Sequence, residues 1–276
     1  MMLLWDGLQV EIPKGMEPAA LDRGFIRLTG SNMPTVSLRF GSEKCRFDPH
    51  RDGRRILRAA GIAQEALRMC DETWTKQIPG DLYRSNRLWV VQFSESRAVL
   101  AVLFSAPPPA GMAETILASL AWTPAEAWRR WRCYDITFET PPDYLLKTAV
   151  FQPGRFLLKF TNGRSELTFD RLAPANVLLT GMTFMPWCEQ NMSRNLGRTI
   201  EMHRGSNTEV DMGARPSPLY RLLPWLPGQS PPLQGKARHI PEENKILILA
   251  EQGPLLPAEM SSRLHEKYAI IPSFKT

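Results

Sequence analysis

Arg51, Arg54, Arg55 and Arg58 form the most distinct chemical pattern in the chain, at i, i+3, i+4 and i+7 of a segment that also places Ile56, Ala60, Ala63 and Leu67 at i, i+4, i+7 and i+11. Those spacings predict a helix over 51–69 that buries the apolar stripe and presents the arginines together on the opposite face. Like charges so placed repel by about 0.2–0.5 kcal/mol per pair. Cations in the first turns also oppose the helix dipole, and Arg46 and His50 just upstream add to the positive field. An anion would relieve this, whether phosphate, RNA or an acidic protein patch. Asp48, Asp52 and Glu65 are the local groups that can neutralise the stripe instead. No aromatic residue is interleaved with the arginines, which speaks against a dedicated single-strand nucleic-acid surface.

A second candidate lies in the proline-rich stretch from Arg215 to Gly235. Pro216, Pro218, Pro224, Pro227, Pro231 and Pro232 forbid a regular helix or central strand there. Leu219, Tyr220, Leu222, Leu223, Trp225 and Leu226 are too apolar for an idle linker. Tyr220, Leu223, Trp225 and Leu226 are therefore candidates for docking a partner, with Trp225 as an anchor of the kind that dominates interfaces. The competing reading folds the segment back over the second half of the chain.

Catalytic chemistry has little local support. Phosphate-cradling glycine loops are absent, as are the nucleophile-elbow and zinc-protease patterns. His50, His203, His239 and His265 stand without a partner at i+3 or i+4, and Cys45, Cys70, Cys133 and Cys188 are scattered singly, so no metal-ligand spacing arises. Cys188 served by His203 is the one conceivable nucleophile, but nothing in its surroundings lowers the thiol pKa. Carboxylate pairs such as Asp135 with Asp170, or Glu242 with Glu243, are expected on the solvated surface. No catalytic residue, metal or cofactor is expected.

The elements that carry these residues belong to an ordinary folding chain. With 43% hydrophobic and 22% charged residues, the 276-residue sequence is globular in composition and not disordered. A net charge of +6 favours anionic partners without naming one. The first residues, Met1 to Asp6, lack a basic region and an apolar run, so no export signal is expected, and no stretch reaches the roughly 20 apolar residues of a membrane span. Free thiols in a reducing compartment, hence a cytoplasmic setting, fit the scattered cysteines best, with a pair of disulfides across the fold as the alternative.

Self-comparison points to two related halves, the alternative being two independent α+β domains that share a generic pattern. At an offset of 128, Leu8 to Pro13 lies over Ile136 to Pro141, each an alternating strand stopped by proline. At 130, Gly24, Ile26 and Leu28 lie over Gly154, Phe156 and Leu158; at 131, Val36 and Leu38 lie over Leu167 and Phe169. At 148, the buried run Arg97 to Ala101 lies over Lys245 to Leu249, and Pro109, Met112, Ile116 and Leu120 over Pro257, Met260, Leu264 and Tyr268, a proline-led helix with one apolar stripe. The expected class is α+β: two related units in tandem, each an antiparallel sheet packed with helices. The expected boundaries are 1–122 for the first unit and 133–276 for the second, with the growth in offset placed in a proline-rich insertion over 213–235. Residues 123–132 read as a helical linker, because Thr123-Pro124-Ala125-Glu126 is a capping box and Trp128 and Trp131 would share a helical face.

The order of a Trp- or Tyr-led strand ending in proline, a glycine-led strand, a middle helix, a buried strand and a last helix reading Ile116-Leu117-Ala118-Ser119-Leu120-Ala121-Trp122 resembles the PsbP-like superfamily. That group includes extrinsic photosystem proteins, a nuclear-transport cofactor of a small GTPase and small bacterial proteins. The resemblance implies an antiparallel sheet flanked by helices and a non-catalytic role of docking onto larger partners; it carries over no functional residue. The tandem arrangement, the absence of an export signal and the proline-rich insertion depart from the family.

These readings converge on an accessory or adaptor protein with a protein partner. The alternatives are an enzyme with a site in the cleft between the two units, and a weak nucleic-acid or anion binder acting through Arg51, Arg54, Arg55 and Arg58.

Overall fold

The structure is a computed structural model and describes residues 1–276 except 43–47, 49–50, 60, 62–66, 71–77, 79, 95, 97, 125, 197–199, 218–219, 221–230, 255 and 272–276. The chain divides into two compact units, Met1–Tyr134 and Asp135–Thr276.

In the first unit the strands are β1 (Met2–Trp5), β2 (Leu8–Glu11), β3 (Met16–Asp22), β4 (Phe25–Gly30), β5 (Val36–Ser42), β6 (Arg68–Met69), β7 (Gly80–Arg84), β8 (Leu88–Phe93), β9 (Ala98–Phe104), β10 (Ala121–Trp122) and β11 (Arg129–Cys133). Helix α1 spans Arg51–Ala59 and α2 spans Met112–Ala118. Seven strands form an antiparallel sheet in the order β3-β4-β5-β9-β8-β7-β6, and β10, β2, β1 and β11 lie side by side in a smaller ladder. The smaller ladder starts from Asp6-Gly7, a two-residue hairpin loop with φ of +50° and +88° that closes β1 onto β2.

The second unit contains β12 (Ile136–Thr140), β13 (Leu145–Gln152), β14 (Arg155–Thr161), β15 (Glu166–Leu172), β16 (Glu201–Arg204), β17 (Glu209–Ala214), β18 (Leu233–Ile240), β19 (Lys245–Gln252) and β20 (Ala269–Ile270), with helices α3 (Ala175–Leu178), α4 (Phe184–Leu196) and α5 (Ala258–Lys267). Its seven-stranded antiparallel sheet runs β13-β14-β15-β19-β18-β17-β16, and β20 pairs with β12. Strand outweighs helix throughout, so the class is antiparallel sheet with helices, weighted towards β.

Several expectations need correction. The helix over 51–69 ends at Ala59, because Gly61 adopts φ +69° and its N–H bonds the Arg58 carbonyl, a left-handed stop that glycine supplies without strain. Leu67 is buried, but from the chain beyond the helix, and Arg68–Met69 is a strand. Residues 129–132 of the expected helical linker belong to β11, where alternation buries Trp131 and Cys133 together; a single turn, Ala127 N–H to the Pro124 carbonyl, is what the capping signal produces. The insertion is narrower than 213–235: Gly213 and Ala214 are in β17 and Leu233 to Gly235 in β18, so the long connection is 215–232.

The offset of 148 is also one residue off for the buried strand. Leu38 pairs with Val102 and Phe169 with Leu249, so laying Leu38 over Phe169 brings Val102, not Ala101, onto Leu249, 147 apart. A one-residue slip exchanges the two faces of a strand. Both runs are buried on both faces, so the apolar pattern held no facial information. For the helices 148 stands, with Ile116 and Leu264 both fully buried.

Candidate functional site

The arginine stripe rests on a nine-residue helix whose start is capped by acids. Asp48 accepts the Arg51 N–H at 3.1 Å, and the Asp52 carboxylate accepts the Asp48 N–H at 2.9 Å, a reciprocal cap that puts negative charge at the positive end of the helix. Asp52 also holds Arg51 in a two-point contact at 3.1 Å, and that hydrogen bond, followed by the Asp48 N–H, keeps its carboxyl below the usual range. One member of the stripe is thus neutralised locally. The helix turns Gly53 and Leu57 inward and leaves Arg51, Arg54, Arg55 and Arg58 exposed, where the four line a shallow depression of about 310 Å³.

Beside that depression lies a second, deeper feature. Cross-strand pairing puts Phe25 opposite Arg39, Arg27 opposite Ser37, Ser37 opposite Leu103, Arg39 opposite Ala101, and Leu88 opposite Leu103, so all of these share one sheet face across β4, β5, β9 and β8. Helix α1 crosses part of this face, packing Leu57 with Leu67 against Leu88, Val90, Val99 and Ala101. The uncovered remainder is a half-open cleft of about 500 Å³ with Arg55, Ile56 and Ala59 as its helical wall. Arg27 and Arg39 place their guanidinium carbons 5.6 and 5.2 Å from the Phe25 ring centroid, within cation–π range. Among the described residues no carboxylate lines the cleft or pairs with Arg27, Arg39, Arg55 or Arg58 at salt-bridge distance.

The same kind of sheet face in the second unit is closed. There the 13-residue α4 fills it with Phe184, Trp187, Cys188 and Met192 against Val210, Ala237, Ile246 and Ile248. Asp170 on that face is buried and bound by Arg155 through three hydrogen bonds of 2.6–3.1 Å. Its carboxyl is nonetheless pushed up, burial outweighing the arginine. Asp170 is therefore not the surface carboxylate expected. Asp135 lies apart from it, half-buried and bound to Arg171 and Lys245, so the two make no acid–base pair.

The remaining candidates form no catalytic arrangement among the described residues. Cys188 is fully buried, and burial drives its thiol pKa up to about 12, the reverse of nucleophile activation. His203 sits on the edge strand β16, and the described residues contain no group of three or more metal ligands. Glu251, buried at the end of β19, accepts hydrogen bonds from Ser261 Oγ and Gln234 Nε2, each at 2.7 Å, with His265 Nε2 3.7 Å away. The serine donates to the carboxylate with no histidine between them, so the relay order of a hydrolytic triad is absent and the cluster fastens α5 to the sheet. Burial, then Lys236 and Arg238, depress His265 to about 4 despite the facing Asp211 and Glu251. A neutral folded histidine with an unfolded pKa near 6.5 gives stability that is complete above about pH 6.5 and lost as pH falls towards 4. His265→Gln is expected to flatten that decline in urea unfolding at stepped pH.

Of the docking candidates in the proline-rich segment, Tyr220 is half-buried and its N–H bonds Ser217 Oγ at 3.2 Å. Leu223, Trp225 and Leu226 lie outside the described residues. Arg27 and Arg39 were not singled out by sequence patterns, although their strands alternate plainly in Phe25-Ile26-Arg27-Leu28 and Ser37-Leu38-Arg39-Phe40. That alternation assigns each arginine to a face opposite the core; it does not say that the two meet.

No family model matches the chain, and no curated protein matches it by sequence. Among solved structures, the chain is similar to the Saccharomyces cerevisiae Ran-binding protein Mog1p, at 11% identity and a TM-score of 0.36 over 53% of this chain and 96% of that one. A mutant of Mog1 gives 9% identity and the same TM-score over 53% and 97%. MucB in complex with MucA(peri) aligns over 96% and 88%, at 9% identity and a TM-score of 0.20.

Proposed function

We propose that this chain is a non-catalytic accessory protein that docks onto a larger protein partner, and that the exposed arginine face of α1 meets an acidic surface there. The observation that carries the reading is the common depression lined by Arg51, Arg54, Arg55 and Arg58, with an internal acid partner for Arg51 in Asp52. Helix surfaces with clustered, solvent-facing cations steer and orient acidic partners more than they stabilise the fold. Among the described residues no aromatic side chain lines the depression, which favours a protein surface over single-stranded nucleic acid.

The chain is read as a tandem pair of related α+β units. In support, both seven-stranded sheets place their strands, numbered within each sheet, in the order 1-2-3-7-6-5-4, and both units return a two-residue strand that follows the last helix to an early strand, Ala121 to Gln9 and Ala269 to Thr137. A cytoplasmic setting is part of this reading, and among the described residues Cys188 is a buried thiol outside any disulfide.

Arg54→Glu/Arg58→Glu changes the face without touching the cleft lining. It is expected to reduce binding to poly-glutamate at low salt by about tenfold, equivalent to about 1.4 kcal/mol. The wild type itself should lose most of this binding as salt rises and the exposed charges are screened. Unchanged binding in the variant would remove α1 as the contact. Tighter binding of generic RNA than of poly-glutamate would favour the nucleic-acid alternative.

A further inference from the structure

The cleft beside α1 has a direction. At the β4–β5 end its lining is cationic, with Arg27 and Arg39 from the strands and Arg55 from the helix; at the β9–β8 end it is lined by half-buried Leu103 and by Leu88, Val99 and Ala101, which are buried and also packed by Leu57 and Leu67. Four adjacent strands separate the ends, three ladder spacings of about 4.8 Å, so the head-to-tail distance is about 14 Å. The volume of about 500 Å³ falls in the range of small-molecule sites, about 300–1,000 Å³.

Gly41 adds a separate observation. It lies on β5 two residues from Arg39, pairs with Val99, and its backbone is outside the positive-φ region, so no turn requires glycine. A Cβ built there meets no described heavy atom within 4 Å, whereas at Gly30, Gly80 and Gly235 it would strike a neighbouring backbone. Glycine inside a strand costs roughly 0.5–1 kcal/mol relative to alanine, and here its effect is to hold open the floor of the cleft.

We propose that this cleft binds a single-chain anionic amphiphile, its carboxylate or phosphate held by Arg27, Arg39 and Arg55 and its acyl chain lying across β9 towards β8. A peptide fits the same chemistry less well. β5 and β9 are interior strands whose backbone groups are already paired, and Ser37 is the one neutral polar side chain in the described lining. A peptide backbone laid there would lose water without gaining partners, a cost an acyl chain does not carry. The site shares Arg55 with the docking face, but Arg54 and Arg58 are not among its lining residues, so the two readings can be tested apart.

The test is isothermal titration of the full chain with decanoate and with decyl phosphate, using inorganic phosphate and decyltrimethylammonium as controls. Both anionic amphiphiles should bind at one per chain, and neither control should match them. Arg39→Ala should weaken both by about tenfold, the loss of one charge-assisted contact. Gly41→Leu should abolish binding while melting no lower than the wild type; should it fail to fold, Ala59→Trp blocks the cleft from the helical wall. Arg54→Glu/Arg58→Glu should bind decanoate like the wild type, which separates this site from the docking face. Equal binding of decyltrimethylammonium, unchanged affinity in the blocking variant, or binding of an acidic leucine-rich peptide in place of both amphiphiles overturns the proposal.

Discussion

Trp131→Ala is expected to destabilise the first unit by about 3–5 kcal/mol, the usual range for removing a buried tryptophan. Trp131 is fully buried, and its ring meets that of Trp5, also fully buried, edge-on at 5.1 Å between centroids. Trp5 is itself fixed by its Nε1–H, which donates to the Asp22 carbonyl at 2.7 Å, so a cavity at Trp131 cannot be closed by a simple shift of its neighbour. Domains are stable by only about 5–15 kcal/mol, and a loss of this size consumes much of the margin. Trp131→Phe keeps a ring against Trp5 and should recover more than half of the loss. Urea unfolding followed by circular dichroism gives both values. A cost below about 1 kcal/mol for the alanine variant would mean that 129–133 is a surface segment, as surface substitutions rarely cost more.

That residue also shows what local pattern can and cannot supply. Elements whose signal is contained in a few residues were legible: the alternating strands at Leu8 and Ile136, the proline-led helices ending near Leu120 and Tyr268, and the buried runs of β9 and β19. Strand β11 was not. Its capping box and the spacing of Trp128 and Trp131 both favour a helix, while the partner that makes it a strand is β1, with Leu4 paired to Arg132 across the chain. Long-range pairing overrode a genuine local preference. The end of α1 was legible in principle, since Gly61 follows the last helical turn in the position where glycine stops helices. Asp6-Gly7 between two apolar runs is likewise a hairpin signal, unused when the N-terminus is read for export alone.

The candidate sites divide in the same way. Arg51, Arg54, Arg55 and Arg58 are neighbours by helical spacing, so their grouping was available from the sequence, and so was Asp52 as a partner. The cleft was not, because Arg27 and Arg39 become neighbours only through the register that sets Phe25 opposite Arg39. Nor does any local feature announce that a nine-residue helix leaves this face partly open while a 13-residue helix seals the corresponding kind of face in the second unit. Helix length relative to the sheet beneath it is a tertiary quantity. The difference is also electrostatic: Arg155 spends its charge on Asp170, whereas Arg27 and Arg39 lie over an aromatic ring and leave theirs available to a ligand.

Arg129→Leu should be comparably severe, about 3–5 kcal/mol at neutral pH, because it strands a buried carboxylate. Arg129 Nη1 donates to Asp6 Oδ1 at 2.6 Å, with side chains only 18% and 10% exposed, and Asp6 Oδ2 accepts the Gly24 N–H at 3.0 Å. The pair thereby ties β11 to the β1–β2 loop and to the β3–β4 turn. Burial already holds the Asp6 carboxyl above its usual range, and Arg129 is the largest influence pulling it back. Without the arginine it rises further. A folded-state pKa above the unfolded one means that the native variant takes up a proton at a pH where the unfolded chain does not, so its stability increases as pH falls through that raised pKa. The deficit against wild type should therefore be greatest at pH 7 and shrink measurably by about pH 5, read from urea midpoints at the two values. Asp6→Asn/Arg129→Leu removes the stranded charge while keeping an acceptor for the Gly24 N–H, and should recover more than half of the loss at pH 7. If the deficit is the same at both pH values and the double variant is no better, the contribution of Arg129 is the packing of its aliphatic stem and not its charge.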